Sequence, residues 1–202
     1  MHSAAIYTGL RQGELLGLQW GDIDWKTNRL HVRRSYTFGR FREPKTKNGR
    51  RTVDMPGTLV HELKAWRLRC PKPERKDGEQ EEGRDLVFPN GAGKVQSADN
   101  LVKRGFYPAL RRAGLRKIRF HDLRHTFASL MFHNREPVTN VSKTMGHASP
   151  AITLSIYAHM IPTEDDGSAR RLDQLISFGG SNSAQVGSKV VAVKPQRTGT
   201  DA

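Results

Sequence analysis

The stretch FHDLRHTFAS, residues 120–129, decides how the rest of the chain is interpreted. Its apolar residues recur three and four positions apart, which predicts a helix with one buried side. They are Phe120, Leu123 and Phe127. His121 and Arg124 are also three positions apart, so we expect a helix to present both on one face. A helix this apolar seldom carries such polar residues without a use, and the pair is therefore a candidate site.

The same stretch has the His-x-x-x-His spacing of a zinc-binding helix, at His121 and His125. A zinc protease would carry a glutamate after the first histidine as its general base, and here that residue is Asp122. The only cysteine is Cys70, and the sequence offers no obvious third ligand. We therefore expect no metal site and no other cofactor.

Composition points to a polyanionic partner. The 202 residues include 34 Lys and Arg against 20 Asp and Glu, a formal net charge of +14. Such an excess is typical of proteins that bind nucleic acid. The uncharged apolar stretches fall far short of the roughly 18 residues that a membrane span needs, and the first residues do not resemble a secretory signal. These features predict a soluble, cytoplasmic protein.

Upstream of this helix, TGLRQGELLGL at residues 8–18 continues a helical pattern that starts at the beginning of the chain. Arg11 and Glu14 are three positions apart, a spacing at which two side chains on a helix can form an ion pair. Because the chain begins inside this pattern, we expect that a larger protein has lost its front, including the first helix of this domain.

Residues 22–55 have a different sequence pattern: apolar and polar residues alternate, and β-branched residues are frequent, on both sides of the polar segment KTKNG at residues 45–49. This pattern predicts a small antiparallel sheet with a turn that carries Lys45 and Lys47. A helix should follow from Val60 to Leu68. We expect its apolar side to comprise Leu63, Trp66 and Leu68.

Downstream, TMGHASPAITLSIYAHM at residues 144–160 places Tyr157 ten residues after His147. Helical patterns dominate from Ser97 onward, so the fold class is predicted to be mainly α with a small antiparallel β-sheet (α+β). The full inventory of two arginines, two histidines, lysines in a hairpin and a tyrosine suits phosphoryl transfer from DNA to a tyrosine hydroxyl.

These three segments, in this order and separation, resemble the tyrosine recombinase family, and the phage-type integrases in particular. The resemblance extends from about residue 5 to about residue 178. It implies the DNA breaking-rejoining catalytic fold and site-specific DNA recombination, as in the integration and excision of mobile elements. It further implies that residues 1–178 form the catalytic domain without its amino-terminal DNA-clamping domain, and that residues 179–202 are a flexible tail.

The resemblance also implies a role for each candidate residue. Arg11 and Arg124 would hold the scissile phosphate through planar guanidinium forks, and Glu14 would orient Arg11. The two histidines would bind or deprotonate at the phosphate, and the tyrosine would be the nucleophile. The histidines are His121 and His147, and the tyrosine is Tyr157. Such chemistry needs neither ATP nor a metal.

In this family a lysine in the turn between two strands protonates the leaving oxygen. Lys45 fits the family pattern better, and Lys47 is the alternative. The family implies double-stranded DNA as partner and self-association on DNA into a tetrameric synapse, with no membrane. Two other interpretations stay open: a truncated, catalytically idle relic that only binds DNA, and a type IB topoisomerase, whose length and final segment differ.

Overall fold

The computed structural model describes residues 1–44, 49–72, 85–161 and 167–179. The chain divides into two compact units, Met1–Pro162 and Thr163–Ala202. Lys45 and Lys47, the predicted turn lysines, lie outside the described residues. So does the expected tail, apart from its first residue.

The first unit is mainly α-helical with short antiparallel strands, as the sequence predicts. In chain order its elements are α1 (His2–Thr8), α2 (Gln12–Leu16), a 3-10 turn (Trp20–Asp22), β1 (Ile23–Asp24), β2 (Arg29–Val32), β3 (Ser35–Thr37), β4 (Arg40–Arg42), β5 (Arg51–Asp54), α3 (Gly57–Arg69), α4 (Ala98–Asn100), a π-helical turn (Leu101–Phe106), α5 (Tyr107–Arg112), α6 (Asp122–His133), α7 (Val138–Met145), α8 (Pro150–Tyr157) and a 3-10 turn (Ala158–Met160).

The predicted opening helix is divided at Gly9. This glycine has a φ of 62°, and its N–H donates to the carbonyl of Ala5 to end α1. A Cβ at Gly9 would collide with the ring of Phe127 on α6. The glycine therefore lets α1 pack closely against α6, and the chain resumes as α2 directly after Arg11.

The β-region forms two antiparallel sheets rather than one. In the three-stranded sheet β2 is central, with β1 on one side and β5 on the other. The second is a hairpin of β3 and β4 with Phe38 and Gly39 at its turn. In the central pair Leu30 faces Val53, and Val32 faces Arg51. Since side chains two positions apart share a face of a strand, Arg51 lies on the same side as the buried Val53.

The larger hydrophobic core joins α1, α2, the three-stranded sheet, α3 and α5. Leu63 of α3 belongs to it, and Trp66 packs partly buried against it. Leu68 does not: its side chain is exposed. Five positions of 100° place Leu68 about 140° around the helix from Leu63, so the predicted apolar side was wrong at this residue.

A smaller core lies among α6, α7 and α8, and Tyr157 belongs to it together with Phe127, Phe132 and Met145. Helix α7 ends at Gly146, whose φ of 68° again needs the left-handed conformation. The N–H of the next residue, His147, donates to the carbonyl of Ser142. This turn places His147 directly after the end of α7.

In the second unit the described residues form one helix, α9 (Ser168–Gly179). Leu172 and Ile176 of α9 are exposed. Among the helices that the structure describes, none has the length and apolar character needed to cross a bilayer.

Candidate active site

Arg11 and Glu14 form the ion pair that their spacing predicts. Arg11 occupies the capping position before α2, and its backbone N–H donates to Glu14 Oε2 at 2.8 Å. Its Nη1 donates to Glu14 Oε1 at 3.0 Å. The Arg11 side chain keeps 42% of its surface exposed, whereas Glu14 keeps 5%. Glu14 therefore holds Arg11 in place, and part of the Arg11 side chain remains exposed to solvent.

Arg51 is a residue that the sequence analysis missed. Its Nη1 and Nη2 donate to the two carboxylate oxygens of Glu14, both at 2.9 Å, and its Nε donates to the carbonyl of Thr144 at 2.6 Å. The Arg51 side chain is almost wholly buried. The alternation of β5 carried a signal: a residue two positions before the core residue Val53 faces inward, and a buried arginine needs an acidic partner.

Two arginines share the single Glu14 carboxylate. Burial alone would raise the pKa of Glu14, but the hydrogen bonds and charge of Arg51, joined by those of Arg11, outweigh burial and hold the pKa below its ordinary value. Glu14 is thus ionised at neutral pH, and its one negative charge leaves an excess of positive charge around it.

Arg124 adds a further cation from α6. Its side chain is buried, with Nη1 donating to the carbonyl of Gly9 and Nη2 to the carbonyl of Met145 at 2.6 Å. Burial and the nearby charge of Arg11 lower the pKa of Arg124 to about 9, so it remains charged at neutral pH. The neighbouring Asp122 instead pairs with Arg119, at 2.9 Å.

His147 lies beside these arginines. Its Nδ1 is 2.8 Å from Thr153 Oγ1, and Arg11 Nη2 donates to the carbonyl of the preceding Gly146 at 3.1 Å. Burial and the charges of the arginines, Arg124 foremost, lower the pKa of His147 to about 4. At neutral pH His147 is therefore an uncharged imidazole.

Tyr157 ends α8, and its side chain is buried. Its hydroxyl oxygen lies 2.7 Å from Nδ1 of His125. Burial raises the pKa of Tyr157, and the positive charge of Arg124 acts in the opposite direction. The tyrosine therefore rests as a neutral phenol held against a histidine.

His121 lies in a different environment from Arg124. It precedes α6 at the capping position and is exposed, whereas Arg124 points into the protein. The backbone angles of His121 at the cap of α6 are helical, and the charge of Arg124 acts on its imidazole. The shared helix face of the two residues stays a prediction. The His121 ring lies 5.1 Å from that of His125, centroid to centroid. Although His121 is exposed, partial desolvation of its ring and the charges of the neighbouring His125 and of Arg124 lower the pKa of His121.

The structure brings the predicted residues of three separate segments together. Direct hydrogen bonds join Arg11 to Glu14, Arg11 to the Gly146–His147 turn, and Arg124 to Gly9 and Met145. In the described part of the chain, no group of three or more His, Cys, Asp and Glu side chains is arranged to hold a metal ion. A cluster of arginines beside a phenol is suited to bind a phosphate diester and to attack it.

Solved structures of similar fold are DNA recombinases. The Tn1549 transposon integrase, in complex with a circular intermediate DNA, matches 87% of this chain and 57% of its own, with a TM-score of 0.67 and 21% identity. The XerA recombinase matches 86% of this chain and 54% of its own, with a TM-score of 0.58 and 23% identity. The fold is therefore that of tyrosine recombinase catalytic domains, as the sequence predicts.

Proteins that are similar in sequence are also named as recombinases and integrases. A "Tyrosine recombinase XerC-like" protein of Caldanaerobacter subterraneus subsp. tengcongensis is 36% identical over 187 residues, which cover 85% of this chain and 48% of the relative. The ICEBs1 integrase of Bacillus subtilis is 30% identical over 179 residues, 87% of this chain and 48% of the relative. The chain thus spans about half the length of these relatives. The model of the phage integrase family matches residues 1–164, and the chain therefore belongs to the phage integrase family.

Proposed function

We propose that this chain is the catalytic domain of a site-specific DNA recombinase, which cleaves a DNA strand through Tyr157 and rejoins it to a new partner. The observation that carries the proposal is the cluster of Arg11 and Arg51 on the Glu14 carboxylate. The charge of Arg124 acts on Arg11 and on the buried Tyr157. The names of the relatives, recombinases and integrases among them, support the same activity.

The arginine cluster binds the scissile phosphate. Arg11 is anchored on Glu14 and Gly146 and exposes its remaining surface, and Arg124 lies close enough for the two charges to interact. Guanidinium groups that are already oriented need no rearrangement as negative charge develops on the pentacovalent phosphorus. Losing one preorganised donor of this kind typically costs about 3 to 4 kcal/mol of barrier.

The reaction proceeds by exchange of phosphodiester bonds. The Tyr157 oxygen bonds to phosphorus, and the bond from phosphorus to the 5′ oxygen breaks, which leaves a 3′-phosphotyrosyl link and a free 5′-hydroxyl. Because one ester replaces another, the bond energy is conserved for rejoining. Uncharged His147 and the exposed His121 bind phosphate oxygens. Lys45, with Lys47 as the alternative, protonates the leaving 5′ oxygen.

The wider proposal concerns DNA and assembly. Residues 1–178 form the catalytic domain, and residues 179–202 form its tail. The net charge of +14 favours binding to duplex DNA, and the protein acts in the cytoplasm, on DNA. Integration and excision join two duplexes, so four protomers assemble around them as a tetrameric synapse.

A nicked suicide substrate tests the activity. The nick lies close to the scissile phosphate on its 3′ side, so the short fragment that carries the free 5′-hydroxyl diffuses away after cleavage and the covalent protein–DNA adduct accumulates. We expect a slow-migrating adduct with the wild type and none with Tyr157→Phe, which keeps the ring and should still bind DNA. DNA binding by the wild type without an adduct would instead favour an idle DNA-binding relic.

A further inference from the structure

His125 contacts the reacting atom of the site and has no role in the mechanism above. Its Nδ1 lies 2.7 Å from the Tyr157 hydroxyl oxygen, and the two rings are 5.6 Å apart, centroid to centroid. Helix α6 presents His125 half-buried, while α8 presents Tyr157 from the other side. The oxygen that must lose a proton before or during attack thus already rests on an imidazole nitrogen.

The surroundings of the phenol make this contact a specific one. The ring of Tyr157 is packed in the small apolar core, where Phe132 lies 5.9 Å away between ring centroids. Arg124 is close enough for its charge to act on the phenol, but a cation cannot accept a proton. His147 directs its Nδ1 to Thr153. Of the histidines described in the site, His125 is the one hydrogen-bonded to the nucleophile.

We propose that His125 is the general base that accepts the phenolic proton of Tyr157 as its oxygen attacks the scissile phosphate. This inference rests on the proposed recombinase function and adds a catalytic residue to it. It requires the tautomer with a proton on Nε2 and a lone pair on Nδ1, to which the hydroxyl donates.

The proton balance closes over both directions. In cleavage the O–H bond of Tyr157 breaks, its proton moves to Nδ1 of His125, the O–P bond forms, and the 5′ oxygen leaves with a proton from the general acid. In rejoining, the incoming 5′-hydroxyl returns its proton to the deprotonated general acid and its oxygen bonds to phosphorus. The bond from phosphorus to the tyrosine oxygen then breaks, and the His125 imidazolium returns the proton to that oxygen. One histidine therefore serves as base in the first step and as acid in the second.

Two substitutions separate proton transfer from simple contact. His125→Asn places an amide oxygen near the position of Nδ1, so it can accept the hydrogen bond but cannot take up the proton. His125→Ala removes both functions and leaves space for free imidazole. His133→Ala is the matched control, since His133 is an exposed histidine at the end of the same helix.

Each variant is assayed for single-turnover cleavage of the nicked substrate and for DNA binding. We expect both His125 variants to cleave about 10²- to 10⁴-fold more slowly than the wild type and to bind DNA as the wild type does. The control His133→Ala should cleave at the wild-type rate. Added imidazole should restore part of the rate of His125→Ala alone. Wild-type cleavage by His125→Asn, or a loss of DNA binding parallel to the loss of cleavage, would overturn the assignment.

A second substrate identifies which proton His125 handles. It carries sulfur in place of the bridging 5′ oxygen, and because a thiol has a pKa of about 8.5 the thiolate leaves without a general acid. We expect the defect of the His125 variants to persist, since attack still requires deprotonation of Tyr157. Recovery of the rate would place His125 at the leaving group and overturn the proposal. Absence of an adduct with the wild type on either substrate would instead contradict the recombinase function itself.

Discussion

Glu14 shows how one buried carboxylate organises the site at the scale of single residues. It receives hydrogen bonds from the backbone and side chain of Arg11 and from both terminal nitrogens of Arg51. Arg51 continues to the carbonyl of Thr144. Arg51 thus connects β5 to α2 and to the end of α7 through three hydrogen bonds. It is a positioning residue, because it fixes the Glu14 carboxylate, which in turn fixes Arg11.

The lowered pKa of Glu14 makes its contribution to stability depend on pH. A carboxyl whose folded pKa lies below its unfolded value stabilises the fold fully above the unfolded pKa, and this contribution is lost as the pH falls through the folded pKa. Glu14→Gln leaves Arg51 buried without a charge partner, so we expect the free energy of unfolding at pH 7 to fall by about 3 to 5 kcal/mol. Denaturant titrations from pH 7 to pH 3 should show the difference from the wild type shrinking below about pH 4.5.

Glu43→Gln is the control for that experiment, because Glu43 pairs with Arg50 at the surface, where both side chains are largely exposed and such a pair contributes little to stability. Its stability should follow that of the wild type at every pH. A constant difference between wild type and Glu14→Gln across the range would contradict the ion-pair account.

Arg11 and Arg124, the two arginines that we propose hold the scissile phosphate, should respond differently to the same substitution. Arg11→Lys keeps the charge but loses the planar fork, so we expect cleavage to fall about 10²- to 10³-fold with little change in DNA affinity or stability. Arg124→Lys should in addition lower the melting temperature, because one ammonium cannot reproduce both bonds to the carbonyls of Gly9 and Met145. Arg119→Lys, at an exposed pair with Asp122, is the control. Equal losses of cleavage and binding for Arg11→Lys would make it only a phosphate anchor.

At the scale of single residues, the sequence predicted contacts between residues that are close along the chain. Spacing alone found the Arg11–Glu14 pair, and resemblance supplied roles for distant residues. Arg51 and His125 escaped because their partners, Glu14 and Tyr157, lie 37 and 32 positions away along the chain, and no periodicity encodes a contact that only the tertiary fold creates. The role of Lys45 or Lys47 stays a prediction.

At the scale of elements, the packing of α1 against α6 depends on Gly9. Its left-handed φ costs an alanine about 1 to 2 kcal/mol, and overlap of the new Cβ with Phe127 adds about 1 to 3 kcal/mol of overpacking. We therefore expect Gly9→Ala to lower the free energy of unfolding by about 2 to 5 kcal/mol. It should also displace the carbonyl of residue 9, which accepts a hydrogen bond from Arg124. Denaturant unfolding and the adduct assay measure the two effects.

Gly57→Ala provides the matched comparison. Gly57 begins α3, and nothing lies within 4 Å of a Cβ added there. Alanine in a helix restricts the unfolded chain, so this variant should gain about 0.4 to 1 kcal/mol and cleave normally. If Gly9→Ala also retained stability and cleavage, the close approach of α1 and α6 would not be needed for the site.

Helix positions were predicted better than sheet arrangement. The apolar spacing predicted α3 and α6, and helical patterns from Ser97 onward predicted a mainly helical second half, because a helix is encoded within its own sequence. The division of the strands into two sheets was not predicted, since pairing of β2 with β5 joins residues that are far apart along the chain, such as Leu30 and Val53. The sequence shows a glycine at position 9 but does not show that the first helix ends there. The helix ends at Gly9 because α1 packs against Phe127 of α6 at this position.

At the scale of the whole molecule, the net charge of +14 predicts a strongly salt-dependent affinity for DNA. Each phosphate neutralised contributes about −0.9 to the slope of log K against log salt, so six contacts give a slope of roughly −5. Fluorescence anisotropy with duplex DNA at increasing salt measures this slope. A flat titration would mean that hydrogen bonding to bases, rather than charge, dominates binding.

Assembly is the last property that depends on the whole molecule. Exposed apolar side chains occur on α8 and α9, and they are Ile152, Leu154, Ile156, Leu172 and Ile176. A stable interface needs about 20 to 30 residues on each side, and the described apolar side chains of α8 and α9 would form only a small part of one. On one duplex the effective concentration of neighbours rises to the millimolar range, where the same weak contacts suffice.

We therefore expect light scattering to find a monomer without DNA and larger assemblies only on a DNA that carries adjacent binding sites. Replacing Leu172 and Ile176 by serine should weaken those assemblies, while binding of one protomer to a single site stays unchanged, because neither residue belongs to the arginine cluster. Serine at Leu68, exposed on α3, controls for the loss of an apolar surface residue. A stable tetramer without DNA would contradict this view, since weak contacts would then not need the duplex to bring protomers together.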